Sequence, residues 1–189
     1  LRDRPVIRRF ALLLIAGTAA FAEATDSVYF DEELQVTDLL KTADDSAKKA
    51  DWRNAILALQ KIVEEHPGSV LPDEPGIWLP AATVVRRRIA AMPAEAHGIY
   101  EEQYGTGAAR IAEPGDAESL RRCAYRYFCT AAGGDAMARL GSLSCDTGAL
   151  EMAMRCWEEV ALRHPDRRAR PVMLAKLGVL YARFGLHDK

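Results

Sequence analysis

The strongest constraint on the fold is one spacing of apolar residues that occurs twice, 98 residues apart. In each copy an Ala is followed after four positions by a large apolar residue, then after three by an aliphatic residue and after five by a Pro. Steps of three and four residues place these side chains on one face of an α-helix, and the Pro ends that helix. Each copy is therefore predicted to be the second helix of a packed pair. The equivalent positions are Ala55 and Ala153, Leu59 and Trp157, Ile62 and Val160, and Pro67 and Pro165.

Most of the remaining chain also has helical periodicity, interrupted by Gly, Pro and Asp. Residues 68–80 differ, since they contain three Pro and two Gly, and we expect a loop or linker there. No segment has the pattern of a strand. We expect an all-α fold of antiparallel helix pairs stacked as a short α-solenoid. The predicted helices after residue 66 are 81–91, 94–112, 116–130, 133–145, 148–164 and 170–185.

The doubled pattern resembles the tetratricopeptide repeat (TPR), a unit of about 34 residues that forms two antiparallel helices. Two repeats are recognisable, at 36–69 and 134–167, and residues 171–189 have the spacing of a further first helix. Its partner helix is expected immediately beyond Lys189, without which Leu174, Leu177 and Tyr181 would lack their cover. The resemblance implies a surface that binds extended or helical segments of partner proteins.

Residues 1–22 have the layout of a signal peptide. Four Arg precede an apolar run from Phe10 to Ala16, and small residues end at Ala22. The run is shorter than the roughly 20 residues that span a bilayer. We therefore expect export to the periplasm or cell envelope, and no membrane span in the mature chain. The expected organisation is a signal peptide at 1–22, a TPR-like helix pair at 23–69, a Pro-rich linker and short helix at 70–93, and a truncated TPR-like helical array at 94–189.

The charge of the chain is nearly balanced but unevenly distributed. The formal net charge of -2 excludes the strongly basic surface of a nucleic-acid-binding domain. Residues 23–75 carry 5 basic and 13 acidic side chains, whereas residues 167–189 carry 6 and 1. Such a gradient can steer a partner or order neighbouring modules; a set of solvated helix faces is the simpler interpretation.

A second resemblance covers residues 77–165. Several short motifs in this order look like the helical N-terminal region of exported bacterial proteins in which a β-propeller of pyrroloquinoline-quinone-type repeats follows, often termed BamB-like. The resemblance implies a propeller later in the same polypeptide. None of the propeller's own motifs is present, so it assigns no cofactor-binding residue here. The motifs are Tyr100–Gly105, Gly115-Asp116, Arg126–Gly133, Leu140-Gly141 and Asp146–Gly148.

The histidines and cysteines do not have the spacing of a metal site, and we assign no metal-binding residue. His66 and His164 precede the repeated Pro, which indicates a role at a helix end; His97 and His187 stand alone. A cross-link between Cys145 and Cys156 is one interpretation of the cysteines. Small buried packing residues are the favoured alternative. The four cysteines are Cys123, Cys129, Cys145 and Cys156.

The other polar motifs also predict no catalytic or cofactor site. Neither 105–107 nor 133–135 is a phosphate loop, since no strand precedes either one. Adjacent Glu pairs at 64–65, 101–102 and 158–159 point about 100° apart on a helix and are expected to face solvent. Arg86-Arg87-Arg88 is the densest basic run; it could contact an acidic partner or lipid, but a solvated helix face is the favoured interpretation. Inter-helix packing is expected for Tyr100, Tyr104, Tyr125, Tyr127 and Phe128.

These observations predict a non-catalytic, exported helical-repeat region that mediates protein–protein interaction or scaffolding. The first residue, Leu1, and the end of the chain within a periodic segment lead us to expect a fragment, the N-terminal part of a larger propeller protein. One alternative is the accessory helical region of a quinone-dependent dehydrogenase. Another is a free-standing periplasmic TPR adaptor.

Overall fold

The fold is mostly helical, in agreement with the periodicity of the sequence. The computed structural model describes residues 34–74 and 76–185, so the predicted signal peptide and His187 lie outside the described residues. Eight helices and one two-stranded sheet occur in this part of the chain. In order they are α1 Leu34–Lys48, α2 Trp52–Glu65, β1 Val70–Glu74, β2 Ile77–Pro80, α3 Ala81–Ala90, α4 Ala94–Ala112, α5 Ala117–Tyr127, α6 Ala131–Asp146, α7 Leu150–Arg163 and α8 Arg170–Phe184.

The helix ends are set by capping residues in the sequence. The carboxylate of Asp116 accepts hydrogen bonds from the N–H groups of Glu118 and Ser119, each 2.9 Å long. The hydroxyl of Thr130 accepts from the N–H of Gly133 at 3.0 Å, and Asp51 caps α2 in the same way. These bonds satisfy N–H groups that have no partner inside the helix.

Residues 68–80 are not a loop: they contain an antiparallel β-hairpin, which corrects the expectation of a strand-free chain. Leu71 is buried and Leu79 packs against the core, so apolar side chains hold the hairpin on the helices. The N–H of Ala81 donates to Ser69 O at 2.8 Å, so Ser69 and Ala81 form a hydrogen-bonded pair. Leu71 and Leu79, two positions along each strand, form the next hydrogen-bonded pair. Pro72 and Pro80 lie in the alternate pairs, whose backbone N–H positions face away from the partner strand. The prolines that suggested a loop are therefore compatible with this sheet.

Each helix packs against its neighbours in the chain, and the largest core runs through most of them. Consecutive contacts join α1 to α2, and α4 through α8 in order, while α2 also contacts α3 and α4. A smaller cluster is centred on Ala108, Leu120 and Cys123. The core therefore extends along the order of the helices.

The sequence repeat has a structural counterpart. A shift of 98 residues superimposes the bounds of α2, Trp52–Glu65, on those of α7, Leu150–Arg163. The repeated apolar positions are buried in both helices, and the last residue of α1, Lys48, corresponds to the last residue of α6, Asp146. The prediction that these residues form the packed face of equivalent helices is confirmed.

Candidate interaction surface

The two repeated histidines lie at helix ends, as the sequence predicts, but their surroundings differ. His66 follows α2 and is partly exposed, whereas His164 follows α7 and is buried. The Nε2 of His164 lies 3.1 Å from the carbonyl oxygen of Thr130, and its Nδ1 lies 3.1 Å from the N–H nitrogen of Asp166. The Nδ1 atom also lies 3.1 Å from the carbonyl oxygen of Asp166, so both ring nitrogens contact backbone groups. His164 thus joins the end of α7 to the start of α6.

This histidine explains one glycine of the 133–135 motif. A Cβ atom on Gly134 would lie 2.5 Å from Nε2 of His164, and one on Gly133 would overlap the backbone of Tyr127 and Phe128. Both glycines therefore permit close contacts between helices. The ring of Phe128 meets His164 edge-on at 5.2 Å between centroids. No sequence signal indicated that Gly134 and Phe128 contact His164, because 30 or more positions separate them from it in the chain.

A cleft of about 400 Å³ lies beside His164, between the start of α6 and the connection to α8. Two of its lining residues bind each other, since Arg168 Nε donates to Asp166 Oδ2 at 2.8 Å; the lining Ala131 donates its N–H to Glu101 at 2.8 Å. These hydrogen bonds from Arg168 lower the pKa of Asp166 to about 2. The carboxylate of Glu101 occupies the N-terminus of α6, where an anion would otherwise bind.

The arginine run does not form a solvated face, so that expectation is wrong. Its three side chains reach three different elements: Arg86 pairs with Glu159 of α7 at 3.5 Å, Arg87 with Asp73 of β1, and Arg88 with Asp44 of α1 at 2.7 Å. Only 15% of the Arg86 side chain is exposed, and its guanidinium lies over the ring of Phe128. These ion pairs join α3 to α7, β1 and α1.

The adjacent Glu pairs differ in their contacts. Glu101 and Glu102 are exposed, as expected, and so are Glu64 and Glu65. Glu158 and Glu159 are only partly exposed, because Glu158 accepts from the Tyr181 hydroxyl and Glu159 pairs with arginines. For this last pair the expectation of a solvent-facing position is wrong.

Tyr100, Tyr104 and Tyr127 pack between helices, as predicted, whereas Tyr125 is exposed and its hydroxyl donates to Pro67 O at 2.9 Å. Tyr100 of α4 is buried, and its hydroxyl donates to Gln60 Oε1 of α2 at 3.0 Å. Tyr104 stacks on Tyr127 of α5 with ring centroids 5.9 Å apart. Burial raises the pKa of Tyr100 well above its ordinary value. This aromatic group therefore joins α2, α4 and α5 as neutral phenols.

All four cysteines are free thiols, and three of them are buried. Burial raises the pKa of Cys129 to about 12 and that of Cys123 to about 11. Such thiols are poor nucleophiles, because the thiolate is the reactive form. Their surroundings fit the favoured interpretation of small packing residues. Within 34–74 and 76–185, no three His, Cys, Asp or Glu side chains converge in the manner of a metal site.

Helix α8 exposes four large apolar side chains, Val172, Leu174, Val179 and Phe184, more than any other helix of the described residues. Its face toward α7 contains Met173, Leu177 and Leu180, all buried. Val172, Leu174 and Val179 on its other sides are 55%, 45% and 70% exposed. The expected uncovered stripe is thus partly corrected: Leu174 is exposed, but Leu177 is buried and Tyr181 is partly covered. Exposed apolar side chains close together commonly mark interaction sites.

No protein-family model, curated protein or solved structure matches this sequence. Among the helices of the described residues, none combines the length and the hydropathy that crossing a membrane requires.

Proposed function

We propose that residues 34–185 form a non-catalytic helical-repeat region, in which TPR-like helix pairs stack as a short α-solenoid and mediate protein–protein interaction or scaffolding. The observation that carries this proposal is the repeat of one helix pair, α1–α2, as a second pair, α6–α7: at a shift of 98 residues α2 and α7 have the same bounds, and α1 and α6 end at the same position. Helix pairs of this kind stack through their faces and present extended surfaces to partners.

The distribution of side chains supports an interaction role. Polar and charged groups that reach the interior, such as Arg86 and His164, bind other groups of the chain. Large apolar side chains stay exposed on α8, at Val172 and Val179. The chain thus uses its polar groups for internal contacts and leaves apolar surface for a partner.

The proposal extends to the cellular context. We propose that the chain is exported to the periplasm or cell envelope and belongs to a larger protein with a quinone-type β-propeller. The leader pattern of residues 1–22 and the resemblance of residues 77–165 support this extension. N-terminal sequencing of the protein from its native host tests export: a start at Glu23 supports it, and an intact leader in the cytosol contradicts it.

An affinity experiment tests the interaction role. The full chain is immobilised and exposed to an envelope extract, and retained proteins are quantified against a variant with Val172→Asp and Val179→Asp. We expect one protein to be retained in near-stoichiometric amount and to be lost from the variant. A Glu113→Gln variant, changed at an exposed helix end, serves as the control and retains it. Equal retention by all three proteins, or no retained protein, would contradict the proposal.

A further inference from the structure

Helices α6 and α8 share a register at a shift of 37 residues. Leu140-Gly141 corresponds to Leu177-Gly178, and Gly148 to Gly185. Gly148 and Gly185 both follow their helices with positive φ, +80° and +69°. The two helices are therefore equivalent first helices, although only α6 is followed by a packed partner within the described residues.

On α6 a stripe of small residues receives that partner, α7. The stripe consists of Ala138, Gly141 and Cys145. Trp157 of α7 lies against Gly141, where an added Cβ would be 2.6 Å from Cδ1 of the indole, and its Nε1 donates to Ala138 O at 3.2 Å. The absence of a side chain at Gly141 makes room for the indole.

The equivalent stripe on α8 is uncovered. Ala175, Gly178 and Ala182 occupy the corresponding positions, and all three are exposed. An added Cβ at Gly178 would meet no atom within 4 Å. Leu174 and Val179 flank the glycine with exposed apolar side chains. The α8 surface thus has small residues in its middle, as α6 does, and apolar residues at its edges, but no indole covers it. We call Leu174, Ala175, Gly178, Val179 and Ala182 the α8 groove.

The charge of α8 selects the chemistry of an occupant. The helix contains no acidic residue and exposes Arg170 and Arg183, whereas Lys176 is engaged with the adjoining helices, donating to Ser142 Oγ at 3.0 Å and lying over the Trp157 ring. Two copies of α8 placed face to face would bring like charges together, which disfavours a second copy at this site. An acidic helix complements it.

We propose that the α8 groove binds an acidic amphipathic helix of a partner protein, with an aromatic residue seated on Gly178 and a small residue four positions before it. That spacing is the one with which Ala153 and Trp157 of α7 pack on α6. This inference rests on the proposed interaction role and names its surface and partner class.

Fluorescence anisotropy with a labelled peptide of residues 149–166 tests the groove. This peptide carries the Ala153 and Trp157 spacing and a net charge of -2, from four acidic and two basic residues. We expect it to bind the full chain, and a Trp157→Ala peptide to bind at least ten times more weakly. A Gly178→Leu protein, in which the side chain fills the groove, is expected to lose at least ten-fold in affinity. Equal binding by both peptides, or no binding, would overturn the proposal.

A matched glycine provides the control. Gly107 is also an exposed helical glycine with no atom within 4 Å of an added Cβ, and Gly107→Leu is expected to leave the affinity unchanged. If the peptide instead displaced α7 from its position on α6, Gly178→Leu would not weaken peptide binding, and the α8 groove would be excluded as the binding site. Sedimentation that showed a dimer abolished by Gly178→Leu would identify a second copy as the occupant and overturn the partner class. Circular dichroism verifies that both variants stay helical.

The two proposals can fail separately. If the full chain retains a partner from the extract and Gly178→Leu does not change that retention, the α8 groove is wrong and the interaction role stands. If the peptide binds the groove but no envelope protein is retained, the interaction role fails while the complementarity of the groove remains.

Discussion

The helix pairs α1–α2 and α6–α7 satisfy the same packing requirement with different residues. Where α6 has Gly141, α1 has Ala43, and where α7 has Trp157, α2 has Leu59. All four positions are buried. A larger residue on the first helix is thus matched by a smaller one on the second. From these two pairs we infer that a smaller residue on the first helix accompanies a larger one on the second.

The pairs also differ in the segments that come after them. After α7, His164 is buried against Thr130, and Arg168 binds Asp166. After α2, the chain turns through Gly68 and Ser69, whose N–H donates to His66 O at 3.1 Å, and enters the hairpin. The end of α7 is therefore joined by the His164 ring to the start of α6 and to Phe128 at the end of α5, whereas α2 leads into a sheet.

Truncation of the large residue in each pair should have the largest effect. We expect Trp157→Ala to lower the free energy of unfolding by about 3–5 kcal/mol and Leu59→Ala by about 2–5 kcal/mol, because each leaves a cavity in the core. Urea unfolding monitored by circular dichroism measures both. Leu162→Ala and Leu57→Ala remove exposed leucines of the same helices and should change it by less than about 0.5 kcal/mol. A small effect of Trp157→Ala would show that the indole does not hold the pair together.

Adding one methyl group should change the stability in opposite directions at the two equivalent glycines of α6 and α8. Gly141→Ala is expected to cost about 1–3 kcal/mol, because the new Cβ overlaps Trp157. Gly178→Ala should instead stabilise the chain by about 0.5–1 kcal/mol, since Ala favours the helix and no atom is close.

A double variant tests the idea of compensating volumes directly. Gly141→Ala with Trp157→Leu rebuilds the combination found in α1–α2, so its loss of stability should be smaller than the sum of the two single losses. Strict additivity in the same urea experiment would contradict volume compensation.

Replacement of each histidine by Ala should cost different amounts of stability at the ends of α2 and α7. His164→Ala is expected to cost about 1–3 kcal/mol, because the buried carbonyl of Thr130 loses its contact with the ring. His66→Ala, at a partly exposed position, should cost less. Thermal unfolding of both variants gives the comparison, and equal shifts of the melting temperature would show that burial of His164 adds nothing.

Acidification should lower the stability of the segment after α7 through Asp166. The equivalent residue after α2 is Gly68. Hydrogen bonds from Arg168 lower the pKa of Asp166 from 3.8 to about 2. A depressed pKa contributes stability above the ordinary value that is lost as the pH falls from about 4 to 2. The ion pair is largely exposed, so we expect at most about 1 kcal/mol.

The measurement is urea unfolding at pH 6 and pH 3 for the native chain and Asp166→Asn. The variant should be less stable at pH 6 and lose less stability on acidification. Glu113→Gln, which alters an exposed carboxylate elsewhere, serves as the control. An Asp166→Asn difference that does not change with pH would rule out this contribution.

Local signals in the sequence predicted the helices well. Residues 94–112 coincide with α4, and 170–185 with α8 to within one residue. Helical periodicity and residues such as Pro93 and Gly185 act over a few positions, so a single sequence contains the information. The buried face of α2 and α7 could be predicted for the same reason.

Contacts between distant residues could not be predicted in this way. Nothing near Arg86 in the sequence indicates Glu159, and nothing near Gly134 indicates the ring of His164. The hairpin was missed because Pro72 and Pro80 suggest a loop, and their compatibility with a sheet depends on which pairs exchange hydrogen bonds. The α8 groove was only partly anticipated: the exposure of Leu174 was expected, but the empty space above Gly178 requires knowledge of where α7 lies.

The positions of Pro72 and Pro80 have a consequence for assembly. One proline lies at the outward-facing position of each strand of the hairpin, so each free edge lacks an N–H group that an incoming strand would need. The hairpin is therefore a weaker template for an intermolecular sheet, although Ile77 and Trp78 expose apolar side chains beside it. Self-association by strand addition, a common route to insoluble aggregates, is thus disfavoured at the sheet of the described chain.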